Sequence, residues 1–246
     1  MTKNYWKIVN QVIEKSDILL LVLDARMAYE TRNQEIEDKV KKAKKKIIYV
    51  ITKTDLVKRE ELNKIKLKPI AFVSAKNHQG TMKLRERIMI EEKKFYGEKE
   101  LFTIGVVGYP NVGKSSLINA IKGKKSAKTS STSGYTKAMQ KIRTGKKLLF
   151  YDTPGVIPYK EDNKTKQTII GSIDYNQTKE PDIIAMEIMK EYPEIIEKEY
   201  GIKITEDLEK AIEEIAFKKK LLKKGNEPDI IRTARMILKN WQERKF

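Results

Sequence analysis

No cysteine occurs among the 246 residues. That excludes disulfides, thiolate metal sites and cysteine nucleophiles. Histidine occurs once, as His78. Long apolar runs are missing too. The longest, "ILLLVL" at Ile18–Leu23, is six residues between Asp17 and Asp24, which suits a buried strand and not a membrane span. The opening "MTKNYWKIVNQ" has no apolar stretch of the kind a secretory signal needs. A soluble, cytoplasmic, monomeric protein without a membrane partner is expected. Acidic residues are short relative to basic ones: 34 Asp+Glu against 52 Lys+Arg give a formal charge of +18. Such an excess favours polyanions such as RNA, DNA or an anionic membrane, although Lys- and Glu-rich surfaces also occur in proteins adapted to heat.

What is present suffices for a folded chain. Hydrophobic residues make up 39%, enough for one sizeable α/β core and a smaller second unit. Lys3–Lys15 places Trp6, Val9, Val12 and Ile13 at helical spacing. "DILLLVLDAR" reads as a fully buried strand. "NQEIEDKVKKAKKK" reads as a polar helix with Ile36, Val40 and Ala43 turned inward. "IIYVITKTD" and "PIAFVSAK" are two more strands ending in polar residues, and "LRERIMIEEKKFYG" is helical. "LFTIGVVGYP" is a strand that runs into a glycine-rich loop, followed by the helix "KSSLINAIKG". Strands alternating with helices predict a mostly parallel sheet covered on both faces. "TSSTSGYT" (Thr129–Thr136) is a polar loop, and "AMQKIRTGKKLLFYDTPG" reads as strand, turn at Thr144–Lys146, strand. From Val156 to Asp182 the chain looks irregular. Beyond, helices are predicted to start near Thr205 and Pro228.

The strongest chemical signal is Gly108-x4-Gly113-Lys114-Ser115, set between a strand and a helix. Glycines let the backbone from Gly108 through Asn111, Val112 and Gly113 to Ser116 curl its N–H groups around phosphate oxygens, and the helix adds its positive N-terminal end. Lys114 would reach the β- and γ-phosphates and the Ser115 hydroxyl would ligate Mg²⁺. "DTPG", Asp152–Gly155, ends a strand 38 residues after Lys114. Its carboxylate can hold Mg²⁺ through water, and the Gly155 N–H can meet a γ-phosphate.

The base-reading signals lie upstream. In "TKTD", Thr52–Asp55, a carboxylate at Asp55 can accept both N1–H and N2–H₂ of guanine, a pair that adenine lacks. The stem of Lys53 can cover the ring. In "SAK", Ser74–Lys76, the Ala75 N–H can meet guanine O6. Both motifs end strands, and in a parallel sheet those ends line one ligand crevice.

This set resembles the guanine-nucleotide motifs of translation-factor-type GTPases, with the order changed. TKTD and SAK come before the phosphate loop while the cyclic order is kept. That is similar to the circularly permuted GTPases of ribosome assembly, especially the RbgA/YlqF-like group. "LDAR…RNQEIED", "GYPNVGKSSLIN", "SGYTK", "EYPEIIEKEYGI" and "IIRTARMILKNWQERKF" carry the likeness along most of the chain. The resemblance implies a permuted P-loop GTPase domain over residues 1–165, then an all-α domain over 166–246 that contacts RNA. It implies GTP and GDP, Mg²⁺, ribosomal RNA and a precursor of the large ribosomal subunit. Thr136 would be the switch threonine on Mg²⁺, catalytic with Lys114 and Gly155. Asn111 matches an asparagine linked to K⁺ binding.

Three departures qualify the likeness. Val156 follows DTPG where many GTPases carry a glutamine that orients water. A histidine in a "PGHM"-type segment, proposed for this role in the group, has no counterpart in these residues, and His78 reads as a surface loop residue. Slow intrinsic hydrolysis is expected, stimulated by K⁺ or ribosomal particles, with a GTP-responsive RNA-binding module as the alternative. Thr52 replaces the commoner asparagine, whose longer side chain would support the loop better. In the last helix Ile231, Ala234, Leu238 and Trp241 form an apolar stripe. Arg232, Arg235, Lys239 and Arg244, with "FKKKLLKKG" (Phe217–Gly225) and "KVKKAKKK" (Lys39–Lys46), are candidate phosphate contacts or solvated faces.

Overall fold

The computed structural model describes residues 2–97, 99–123, 138–158 and 163–243. The chain forms two compact units, Met1–Asp162 and Asn163–Phe246. Among the described residues no helix is long and apolar enough to cross a membrane.

The first unit contains strands β1 (Ile18–Asp24), β2 (Lys46–Thr52), β3 (Ile70–Val73), β4 (Phe102–Val107), β5 (Gln140–Thr144) and β6 (Leu148–Asp152). Its helices are α1 (Thr2–Lys15), α2 (Gln34–Lys42), α3 (Arg59–Asn63), α4 (Thr81–Tyr96) and α5 (Lys114–Lys122). The strands make one sheet in the order β3-β2-β1-β4-β6-β5. Every pairing is parallel except β5 with β6. The β5–β6 hairpin turns at Gly145, whose φ is +65°. The α/β class and the mostly parallel sheet read from the sequence are what the molecule has.

All seven residues of β1 are buried, because the strand has neighbours on both edges and helices on both faces. Leu19, Leu21 and Leu23 pack with Trp6, Val9, Val12 and Ile13 of α1 and with Ile36 and Val40 of α2. Ala43 does not join them. It is the exposed cap of α2, because Lys44 takes a left-handed conformation (φ +55°) that ends the helix.

Register decides what the sheet can do. Asp24 lies opposite Thr52, Thr52 opposite Val73, and Val106 opposite Asp152. The polar C-terminal ends of β1, β2, β3 and β6 are therefore aligned along one edge, with the loop after β4 among them. The chain leaves β1 toward β2 and β3, then returns to place β4 on the other side of β1. The β1–β4 boundary is thus a switch point, where open α/β sheets hold their ligands.

The second unit contains α6 (Lys164–Ile169), α7 (Pro181–Glu191), α8 (Pro193–Tyr200), α9 (Leu208–Lys218) and α10 (Ile230–Glu243). The stretch from Val156 to Asp182 is less irregular than its sequence implies. It holds α6, a helix too short to show a period, started by Asn163 accepting from the Lys166 N–H. The later helices start a little beyond Thr205 and Pro228. Asp207 accepts from the Lys210 N–H and Asp229 from the Arg232 N–H, the bonds expected of N-terminal caps. The stripe of α10 also differs from the expected one. Thr233, Ala234, Ile237, Leu238 and Trp241 are buried, whereas Ile231 is 44% exposed at the edge of that stripe in the first turn.

Trp241 organises this unit. Its Nε1–H donates to the Ile169 carbonyl at 2.8 Å and its ring lies 4.7 Å from that of Tyr192. Gln242 donates to the carbonyls of Thr168 and Ile173, both at 2.8 Å. Truncating so large a buried side chain removes its apolar contacts and leaves a cavity. Trp241→Ala should lower the unfolding free energy by about 3–5 kcal/mol, read by denaturant titration of the far-ultraviolet circular dichroism. Trp241→Phe should cost less, since it loses mainly the indole hydrogen bond.

Candidate functional site

The loop after β4 curls as its glycines predict. Gly108 has φ +147°, and a Cβ there would sit 2.5 Å from the Val22 carbonyl oxygen. Only glycine lets the loop lie this close to β1. Asn111 and Gly113 also have positive φ, +59° and +100°. α5 begins at Lys114, directly behind the loop. Lys114 is buried, and its Nζ donates to the carbonyls of Gly108 at 3.2 Å and Tyr109 at 2.6 Å. Burial pushes its pKa down to about 8, partly opposed by the negative charge of Asp152.

Ser115 and Asp152 meet across the site. The Ser115 hydroxyl donates to Asp152 Oδ2 at 2.7 Å. The other oxygen, Oδ1, is buried without a hydrogen-bond partner among the described residues. Burial raises the Asp152 pKa, while the Ser115 bond, the Lys114 charge and the Thr153 N–H pull it down. A carboxylate with an unsatisfied oxygen beside a hydroxyl is a donor set suited to a hydrated Mg²⁺. Thr153 anchors the segment by donating to the Val106 carbonyl at 2.7 Å. Gly155 then passes so close to the loop that a Cβ would lie 2.4 Å from Pro110 Cα.

Val156 does not face this chemistry. It is 2% exposed and belongs to the core that holds Trp6 and Leu23. Its N–H donates to the Gly108 carbonyl at 3.2 Å, and its carbonyl accepts from Asn33 Nδ2 at 3.4 Å. Trp6 Nε1 donates to the next carbonyl, that of Ile157, at 3.0 Å.

The upstream half is knitted to the loop. The Thr52 hydroxyl lies 2.9 Å from the Leu23 carbonyl and 2.5 Å from that of Val112. The shorter side chain therefore does reach the phosphate loop. Lys53 takes φ +62°, and its Nζ donates to the Asn111 carbonyl at 2.5 Å and to Asp24 Oδ2 at 2.7 Å. Asp55 is exposed and accepts from the Ser74 hydroxyl at 2.6 Å. Ser74 is buried. It pairs with Gln79 through two backbone bonds, so Ala75 and Lys76 lie in a tight return. His78 is exposed within that return at φ +52°.

Fifteen of the sixteen expected site residues thus fall on the strand ends, the loop and the start of α5. Thr136 lies outside the described residues, as does Arg244. Sequence reasoning missed Asp24, Asn33 and Trp6. "LDAR" and "RNQEIED" hinted at the first two, but nothing local showed that Asp24 would face Lys53. Several expected phosphate contacts are occupied with structure. Lys45 donates to the carbonyls of Glu14 and Ser16, both at 2.5 Å, and Arg235 donates to those of Tyr175 and Asn176, both at 3.3 Å. Lys218, the last residue of α9, donates to the Gly201 carbonyl and pairs with Glu214 at 3.3 Å, whereas Lys219 and Lys220 are exposed in the turn that follows, with Lys219 over the ring of Tyr200.

A glycine-rich loop at the switch point, closed by TKTD, SAK and DTPG on neighbouring strand ends, defines a P-loop GTPase domain in circularly permuted order. Comparison with known proteins agrees. Residues 103–224 match the family model described as 50S ribosome-binding GTPase. The chain is 41% identical over 247 residues to an uncharacterized GTP-binding protein of Methanocaldococcus jannaschii, covering 98% of this chain and 65% of that protein. It is 33% identical to the guanine nucleotide-binding protein-like 3 homolog of Drosophila melanogaster, covering 99% of this chain and 48% of the relative. It is 30% identical to nucleolar GTP-binding protein 2 of Neurospora crassa, covering all of this chain and 41% of the relative. The chain therefore spans from about two fifths to two thirds of these relatives' length. Among solved structures, GNP-bound YlqF from T. maritima matches with a TM-score of 0.67 at 21% identity, over 98% of this chain and 94% of that one. A GDP-bound YlqF matches equally well at 22% identity, a likeness of fold. The chain thus resembles this GTPase family model and these GTP-binding relatives, and its fold is that of YlqF.

Lys114 makes stability depend on pH. Its folded pKa, about 8, lies below the ordinary 10.5. Between those values the unfolded chain binds the extra proton, so stability rises with pH. In nucleotide-free protein the unfolding free energy, relative to Lys114→Met, should climb by roughly 1–3 kcal/mol between about pH 8 and pH 10.5. Parallel curves for the two proteins would contradict the burial argument.

Proposed function

We propose that this protein binds GTP and GDP at the β1–β4 switch point, hydrolyses GTP slowly, and acts as a nucleotide-dependent switch on a precursor of the large ribosomal subunit. One observation carries the reading: four motifs with distinct demands on a guanine nucleotide converge along one sheet edge in the register given above. Asp55, oriented by Ser74, accepts from the guanine N1–H and N2–H₂. Lys53 covers the ring and the Ala75 N–H meets O6, beside Lys76. Backbone N–H groups from Gly108 to Ser116 hold the phosphates. Lys114 exchanges its two loop carbonyls for phosphate oxygens, which is favourable for a buried ammonium. Ser115 and Asp152 hold Mg²⁺, joined by Thr136 once GTP is bound. The metal supplies charge neutralisation between the β- and γ-phosphates. The Gly155 N–H meets the γ-phosphate. Asn111 contributes to a K⁺ site near the phosphates.

Two further facts support slow turnover and a ribosomal partner. Val156 is committed to the core and carries no group that could orient water. Charge stabilisation would then come from K⁺ or from the ribosomal particle, as trans-acting groups provide in other GTPases. The relatives include proteins named as nucleolar and GTP-binding, and a charge of +18 suits rRNA phosphates, with Lys219 and Lys220 exposed for them. DTPG lies a few residues before the second unit, so a change there can be passed along the chain to the helices.

The burial of Val156 equally favours a second reading, a GTP-responsive RNA-binding module with negligible hydrolysis. Phosphate release measured with and without large ribosomal subunits, in K⁺ and in Na⁺, separates the two. The switch reading expects slow basal turnover raised at least about tenfold by particles, the lower end of what supplied charge achieves. Turnover unmoved by particles or K⁺ favours the module. Asp55→Asn should shift preference from GTP to xanthosine triphosphate, and unchanged preference would refute the guanine assignment.

A further inference from the structure

Asp24 has no role in the reading above, yet it is buried at 1% exposure on the ligand edge of the sheet. Its carboxylate is fully engaged. Oδ1 accepts from the Arg26 N–H at 3.2 Å and from Arg26 Nε at 3.1 Å. Oδ2 accepts from Arg26 Nη2 at 3.0 Å and from Lys53 Nζ at 2.7 Å. The backbone around it is fixed as well. The Asp24 N–H donates to the Thr31 hydroxyl oxygen at 3.1 Å, and that hydroxyl donates to the Met27 carbonyl at 2.7 Å. The "DARMAYET" segment thus holds one oxygen of Asp24 toward Lys53.

Lys53 is held at its far end by two acceptors of different origin. One is Asp24 on β1; the other is the Asn111 carbonyl in the phosphate loop. Its Cε passes 3.7 Å from where Gly113 would carry a Cβ. The stem therefore lies along the loop. A free lysine side chain samples many rotamers, and a ligand that needs the stem flat must overcome the entropy of ordering it. Here it is overcome before binding, by the charge-assisted bond to Asp24.

Resting on the guanine reading above, we infer that Asp24 is a positioning residue for base binding: it fixes the Lys53 stem beside the purine and ties it to the phosphate loop through Asn111. The ligand class is a guanine nucleoside di- or triphosphate. Arg26 serves the same end by holding the carboxylate, whereas Thr52 ties the strand ends to the loop independently.

The test is a double-mutant cycle on the full chain. Fluorescent GDP affinity is measured for wild type, Asp24→Asn, Lys53→Ala and the double variant, with steady-state GTP hydrolysis alongside. Asp24→Asn keeps the shape and removes the charge. It should weaken GDP binding and raise KM for GTP by about tenfold, the scale of one hydrogen bond to a charged group. Its kcat should stay within about twofold. In the Lys53→Ala background the same change should have little further effect. Equal losses with and without Lys53, or GDP affinity unchanged by Asp24→Asn, would overturn the inference. If Asp24→Asn does not fold, Asp24→Glu keeps the charge but shifts the carboxylate by one methylene. It should weaken GDP only when Lys53 is present, and a loss independent of Lys53 would again overturn it. Wild-type protein that fails to prefer GDP over ADP in the same assay would instead refute the guanine reading beneath.

Discussion

The site depends on the parallel pairing of β1 with β2 on one side and β4 on the other. That pairing sets Asp24 beside Thr52 and brings the loop after β4 to the same edge. A one-residue slip of a buried strand would turn every side chain to the opposite face. Asp24 and the hydroxyl of Thr52 would then point away from the loop. The uniform burial of β1 guards against this, because each of its residues is held in apolar packing or polar pairing on its own side. The chemistry of the pocket thus rests on six consecutive apolar residues whose side chains are buried in the core and which meet the site only through backbone carbonyls.

The same geometry explains what permutation leaves unchanged. TKTD and SAK precede the glycine-rich loop in the chain, but strand ends and not chain order fix their places. The Thr52 hydroxyl joins the two halves through the carbonyls of Leu23 and Val112. Lys53 does so again through Asp24 and Asn111. Neither link is local in sequence, so the two halves form one pocket only after the sheet has assembled.

Much of this was legible in the sequence. Strand and helix identities in the first unit followed from apolar run length and from flanking turn residues. The phosphate loop followed from glycine spacing between a strand and a helix. Signals were poorer where the structure relies on single capping bonds. α6 has too few residues to show a period, and Asp207 and Asp229 outcompeted Thr205 and Pro228 as helix starts because a carboxylate can accept the exposed N–H groups. The partners of Asp24, Lys45 and Arg235 were out of reach for another reason. Sequence shows a charge but not the carbonyl or ammonium that the fold brings to it. Those residues read as surface or went unremarked, and Lys45, Lys218 and Arg235, expected phosphate contacts, are structural ties.

Val156 carries a further consequence. The residue after DTPG is usually discussed for what it offers to water. Here it acts as a counterweight. Any displacement of the segment must break the Gly108–Val156 backbone bond and withdraw a buried valine, worth about 1.5–3 kcal/mol in lost burial alone. That is the size of the coupling energies by which ligands bias two-state elements. On the switch reading proposed above, a ligand that moves the segment would have to supply at least this sum in differential binding.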